Sequence, residues 1–169
     1  MKKFLSILLI FASFLYLEPS AFSGNSAQQT VQFAVEEINE VSVSGDPETM
    51  YVGPGEPGRL PPEVSESSTT YNITTTSSNK KITVHLTQSS YDPTLCYLKV
   101  NLQPPSGATS PGDVQIPGDN SSANVVTGIS RVSQSGLGIT YKFRFVGLDS
   151  EKLQQASFNF LVNFTLTDS

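Results

Sequence analysis

The chain has one cysteine, one histidine and no tryptophan among its 169 residues. A single cysteine, Cys96, excludes a disulfide within the chain, and its alternation with apolar neighbours predicts a small buried side chain. His85 and Cys96 lack the clustered ligand spacing of a zinc site. No serine lies in a GxSxG elbow that could be paired with His85. The sequence therefore predicts no catalytic residue, no metal site and no cofactor.

Positive charge is also scarce. The chain has 10 Lys and Arg against 15 Asp and Glu, a net charge of −5. Such a chain repels phosphate backbones and anionic lipids, so we expect no nucleic-acid partner. Eight of the acids fall within residues 36–66, and a hydrolase using two of them, with Glu37 as a candidate, is a weaker alternative. Without tryptophan to line a sugar cleft, we interpret them as solvated loop acids. Calcium bound by loop oxygens stays open.

The first residues have the layout of a secretory signal peptide. Lys2 and Lys3 precede the apolar run Phe4–Leu17, and small residues follow. The run is shorter than the roughly 20 residues that span a bilayer as a helix. We predict a signal peptide at 1–23 and one secreted domain at 24–169, periplasmic or extracellular and held at the cell surface. After cleavage we expect no membrane insertion; an uncleaved anchor is the alternative.

Apolar and polar residues alternate with period two through most of residues 24–169. This pattern predicts about eight short strands in an antiparallel β-sandwich, either immunoglobulin-like or jelly-roll-like. A Gly- and Pro-rich surface loop is predicted at about 45–70, interrupted by a short strand at Thr49–Val52. A hairpin is predicted for Tyr71–Thr75 and Ile82–Leu86, and Gly128 is expected to mark a bulge.

The stretch TVQFAVEEINEVSVSG at residues 30–45 contains two apolar alternating pieces separated by a charged segment, Glu36–Glu40. In one straight strand Glu37 and Asn39 would be buried, which is costly for an unpaired carboxylate. A bulge or a crossing between sheets is therefore predicted at Glu36–Glu40. The first piece, Val31, Phe33 and Val35, could pair within its own domain, or it could be a strand-addition segment that joins a neighbouring molecule.

Tyr97 alternates against the predicted inward face that includes Cys96 and Leu98. We therefore expect its ring to be exposed, and it is the candidate contact for a glycan or another ligand. A single exposed tyrosine would be one element of such a site.

In outline, the chain resembles secreted bacterial β-sandwich subunits, including fimbrial and other surface-filament proteins. The features that carry the resemblance are the signal peptide, the small acidic Ser/Thr/Gly-rich domain, the alternating N-terminal segment and the alternating final strand at residues 157–167. Two features depart from chaperone-assembled fimbrial subunits: no disulfide can form, and Asp168 stands where those subunits typically have a tyrosine. The resemblance implies a non-enzymatic structural or interaction subunit with protein partners, self-association among them. The alternative is a periplasmic or extracellular carbohydrate- or ligand-binding module.

Overall fold

A computed structural model describes residues 28–87, 94–147 and 159–169. Two compact units divide the chain between Val35 and Glu36. The second unit contains nine β-strands and, within the described residues, no helix. No helix in that part of the chain is long and apolar enough to cross a membrane. The predicted signal peptide, residues 1–23, lies outside the described residues.

The strands form two antiparallel sheets that pack together as a sandwich. The larger sheet has six strands in the order β1-β3-β8-β5-β6, and β2 also pairs with β8. The smaller sheet has three strands in the order β7-β4-β9. The strands are β1 (Asn39–Val43), β2 (Val64–Glu66), β3 (Thr70–Thr75), β4 (Lys80–Leu86), β5 (Cys96–Leu102), β6 (Val114–Gln115), β7 (Ala123–Ile129), β8 (Val132–Phe145) and β9 (Val162–Asp168). The prediction of an all-β sandwich is confirmed, with nine strands rather than about eight.

Strand β8 is the centre of the larger sheet. Its 14 residues pair with β3 along the first half and with β5 along the second. Strand β2 pairs with the second half of β8, on the same side of β8 as β3. The sequence predicted only the part from Ile139 to Phe145, where apolar and polar residues alternate. The preceding half contains Gly136 at φ +69, which interrupts the alternation that would have identified it.

Strand β4 is the centre of the smaller sheet, and its inward residues form the deepest part of the core. Ile82, Val84 and Leu86 are all 0% exposed. They face a core formed by alternate residues of both sheets, as expected for two pleated layers. The other core residues are Tyr71, Ile73, Cys96, Leu98, Val100, Leu102, Ile116, Val125, Val126, Ile129, Leu137, Ile139, Tyr141 and Phe143. The predicted burial of Cys96 is confirmed.

The predicted hairpin between the third and fourth strands is wrong. Both strands exist, but β3 belongs to the six-stranded sheet and β4 to the three-stranded sheet. The connection therefore crosses from one layer to the other, with Asn79 in the left-handed region at φ 57. Both strands carry an apolar face, and facing each other across the core buries both faces. A hairpin would have left them in one layer.

The predicted long loop is interrupted at a different place from the one expected. Thr49–Val52 forms no strand, and the short strand is β2, which pairs with β8 in the register Val64↔Phe143 and Glu66↔Tyr141. Gly53 and Pro54 follow immediately after Thr49–Val52 and hinder a ladder there. A three-residue strand carries too little alternation to be identified from sequence.

The charged segment at Glu36–Glu40 contains the start of β1. The strand begins at Asn39, and both Glu37 and Asn39 are exposed, so no carboxylate is buried. Residues 28–38 form no strand. The expected bulge near Gly128 is present: between Ile129 and Val126 of β7 the register against β4 gains a residue, and Gly128 has φ +73.

Tyr71 is a polar anchor in the core. It is 1% exposed, and its hydroxyl donates a hydrogen bond to the backbone oxygen of Gln103 at 2.6 Å. Burial raises the pKa of Tyr71 to about 12. Burial also raises the pKa of Tyr141 to about 12, with Glu66 and Asp46 adding electrostatic repulsion. Both phenols are therefore held neutral in the folded state.

Alkaline stability should depend on these tyrosines. An exposed tyrosine in the unfolded chain ionises near pH 10, so the contribution of these tyrosines to the free energy of unfolding should be constant below about pH 10 and fall between about pH 10 and 12. Tyr71→Phe should reduce that fall and cost about 1 kcal/mol at neutral pH through the lost hydrogen bond. Urea unfolding followed across this range tests both effects. Tyr51→Phe is the matched control, because Tyr51 is 84% exposed; an equal effect of the two variants would contradict the assignment.

Candidate functional site

An open groove lies between the edges of the two sheets. Its volume is about 600 Å³. One wall is formed by β1 and β3 of the larger sheet, and the other by β9 of the smaller sheet. The residues that line it are Asn39, Glu40, Val41, Ser42, Asn72, Ile73, Thr74, Phe164, Thr165 and Leu166. Glu40 is the single charged residue of this lining, so the groove is close to neutral.

Strand β9 forms an edge of the three-stranded sheet at this groove. One side of β9 pairs with β4 over seven residues, from Lys80↔Asp168 to Leu86↔Val162. The other side has no strand beside it among the described residues. Phe164 and Leu166 pack against the core and are only partly buried, because they also border the groove. Thr165 alternates with them and is exposed on the outer face.

One end of this region is marked by charged and polar side chains. Lys80, at the start of β4, contacts Asp168 at 2.7 Å and Glu37 at 3.4 Å through its Nζ atom. Glu37 also accepts hydrogen bonds from Ser77 and, at 2.6 Å, from Asn39. These contacts tie the residues just before β1 to the ends of two strands in the smaller sheet.

The same contacts change the acidity of Glu37. The hydrogen bond from Ser77 has the largest effect, and those from Asn39 and Lys80 add to it, so the pKa of Glu37 lies below its ordinary value. The hydrogen bond to Asp168 is the main cause that raises the pKa of Lys80. Glu37 is therefore ionised and acts as a fixed acceptor where the chain enters the sandwich.

The segment before the sandwich exposes the alternating apolar residues that the sequence singled out. Val31 is 63% exposed, Phe33 88% and Val35 81%. No described residue of 28–35 belongs to a strand. Three large apolar side chains at alternate positions are thus open to solvent within five residues, whereas large apolar groups in a folded protein are usually covered.

Tyr97 lies on the outer face of the larger sheet, as the alternation predicted, but it is only partly exposed. Its hydroxyl donates to Glu63 at 3.0 Å, and the Nζ atom of Lys99 lies 4.5 Å from the ring centroid. Nearby, Lys142 donates a hydrogen bond to Asp113 at 2.6 Å, and this bond is the main cause that lowers the pKa of Asp113. The ring is therefore part of a polar surface network, with one face next to an ammonium group.

The titratable residues considered from sequence do not converge on one site. His85 lies opposite Asn163 in the ladder between β4 and β9. Cys96 is buried in the larger sheet, which is the opposite layer from His85. Within residues 28–87, 94–147 and 159–169, no group of three or more His, Cys, Asp or Glu side chains is placed to hold a metal ion.

The groove itself was not predicted. The sequence indicated an alternating final strand and an alternating N-terminal segment, but it gave no sheet order, so the neighbours of β9 were unknown. One feature could have suggested it: the inward residues of β9 include two large apolar side chains, Phe164 and Leu166. This feature does not show that β1 lies opposite β9 across an open side.

No protein family, curated protein or solved structure matches this chain. The proposals below therefore depend on the residues and the geometry of the chain itself.

Glu37 should make stability depend on acid pH. Its pKa is lower in the folded state than its ordinary value of 4.5, so the ionised form stabilises the fold above that pH. The contribution is lost as the pH falls through the lower folded value. Melting temperatures of wild type and Glu37→Gln should differ most above about pH 4.5 and converge as the pH falls below it. Glu36→Gln, which removes the same charge from an exposed neighbour, should show a smaller separation; a gap independent of pH would contradict this role.

Proposed function

We propose that this chain is a non-enzymatic, exported β-sandwich of immunoglobulin-like or jelly-roll-like type. It works as a structural or interaction subunit at the bacterial cell surface, and its copies associate by β-strand addition in the manner of filament subunits. The observation that carries the proposal is the exposure of Val31, Phe33 and Val35 at alternate positions of one segment.

Alternate exposed apolar side chains are what a donated strand needs. When an extended segment joins a sheet edge, its backbone bonds supply affinity and its alternate side chains enter the acceptor. Full burial of a Val or Phe side chain contributes about 1.5–3 kcal/mol each. Part of this gain is offset by the ordering of the segment and the loss of free motion on association. Burial of three such side chains is therefore enough to shift a self-association equilibrium in the micromolar range.

The sandwich supports the same proposal from the acceptor side. Each of its sheets ends in edge strands, which carry unpaired backbone donors and acceptors that can receive another strand. The outer side of β9 has no strand beside it among the described residues. Export is supported by the sequence pattern of residues 1–23, in which two lysines precede an apolar run and small residues follow.

The apolar side chains of the segment can be replaced without changing any residue of the sandwich core. A variant with Val31→Ser, Phe33→Ser and Val35→Ser should weaken self-association by roughly 100-fold or more, given the apolar burial it loses. Sedimentation velocity over a wide range of protein concentration measures the change. Circular dichroism should be unaltered, since the core residues all lie after residue 38.

The matched control is Gln32→Ser with Ala34→Ser, which changes the other face of the same segment. This variant should keep the association of the wild type. If both variants associate alike, or if the wild type is a monomer at every concentration, the segment is not a donated strand and the proposal fails.

A second candidate is a carbohydrate- or ligand-binding module that uses Tyr97. The observation that favours it is the position of Tyr97 on the polar outer face of the larger sheet, with Glu63 as its hydrogen-bond acceptor and the Lys99 ammonium over its ring. An aromatic ring beside charged donors and acceptors is an arrangement that can hold a polar ligand.

A glycan array probed with the wild-type protein tests this second candidate. Saturable binding should be lost in Tyr97→Ala and kept in Tyr51→Ala, because Tyr51 is exposed in the loop outside this network. The absence of saturable binding by the wild type, or an equal loss in both variants, would exclude a site at Tyr97.

A further inference from the structure

We infer that the acceptor is the outer edge of β9 in a second copy of the chain, where Val31, Phe33 and Val35 of the donor fill the groove between β9 and β1. This inference rests on the proposed function, since it names the surface that receives the donated strand. It adds the partner, which is another molecule of this protein, and the edge that is used.

Among the described residues, the edge strands of the two sheets are not equivalent as acceptors. Strand β6 has only two residues and β2 only three. Strand β7 already bonds Thr109 through Thr127 on one side. Strand β1 has five residues, mostly exposed, whereas β9 has seven. Strands β7 and β9 are equally long, but among the described residues β9 has no bridge on its outer side, and its inward side chains border the groove.

The segment fits this edge in length and polarity. Residues 30–35 span about 20 Å when extended, close to the length of a seven-residue strand. The segment has no charged side chain, and the groove lining has one, Glu40. The charged residues Glu36 and Glu37 come immediately after the segment, so they would lie outside the apolar part of the contact. A neutral strand thus meets a nearly neutral groove.

The side-chain pattern of the acceptor also matches. Phe164 and Leu166 of β9 and Val41 of β1 are partly buried residues that line the groove. A strand added beside β9 directs alternate side chains to the same face as Phe164 and Leu166, whichever way it runs. Val31, Phe33 and Val35 would then occupy the space between the two sheets. The smaller sheet would gain a fourth strand and cover the open side of the sandwich.

Cross-linking between two single-cysteine variants of full-length protein tests this contact. The donor variants are Gln32→Cys and Ala34→Cys, whose side chains would face outward in the added strand, and the acceptor variant is Thr165→Cys. A bismaleimide that spans about 8 Å reaches both direct and diagonal neighbours across a strand pair. Cys96 is 1% exposed and so is protected from the reagent. One partner carries ¹⁵N, so mass spectrometry identifies a donor–acceptor product.

Asn124→Cys is the matched control acceptor. Thr83 at the centre of the smaller sheet pairs with Thr165 on one side and with Asn124 on the other. Both residues are exposed, and they lie on opposite edges of the same sheet at the same level. We expect at least a tenfold excess of product with Thr165→Cys over Asn124→Cys, and loss of that product when Val31, Phe33 and Val35 are serine.

Equal products at Thr165 and Asn124, or a product at Asn124 alone, would overturn the inference. A chain that carries both a donor cysteine and Thr165→Cys offers a further check. If it forms the product within one molecule while mixed single variants form none, the strand is donated in cis and the inference is overturned. If the serine variant dissociates the oligomer but no donor reaches Thr165, the proposed function stands and the acceptor edge is wrong. If the wild type never associates, both fail.

Discussion

The contact between the inward face of β4 and the six-stranded sheet holds the two layers of this protein together. Ile82, Val84 and Leu86 are completely buried and lie at the centre of the smaller sheet. Strands β7 and β9 reach the core as the two neighbours of β4. Because apolar burial is the main favourable contribution to folding, the position of every other element of the smaller layer depends on this strand.

The two layers are unequal, and the groove follows from that inequality. A three-stranded sheet is narrower than the six-stranded sheet opposite, so among the described residues part of the larger sheet has no facing strand. At the β1 side this exposes Phe164 and Leu166 of β9 to the opening. The same chain has a segment of matching polarity and length before the sandwich.

Alternation along the chain was enough to predict the class of fold and much of the core. Cys96, Leu98, Val100 and the final strands could be assigned because their period-two pattern is unbroken. Pairing could not be predicted in the same way. The strands β3 and β4 are consecutive and each is half apolar, a pattern that fits a hairpin as well as two facing layers. Strand β2 was missed because three residues have no period, and the groove was missed because it depends on sheet order.

The chain separation between paired strands has a consequence for the order of folding. Strand β4 is made early in the chain, but one of its two partners, β9, begins about eighty residues later, at Val162. Until β9 arrives, Ile82 and Val84 lack one of their flanking strands and the smaller layer is incomplete. Contacts of such long sequence separation slow folding, because a large loop must close first. The sandwich is therefore expected to stay open through most of its synthesis and to become cooperative only when its last strand has joined.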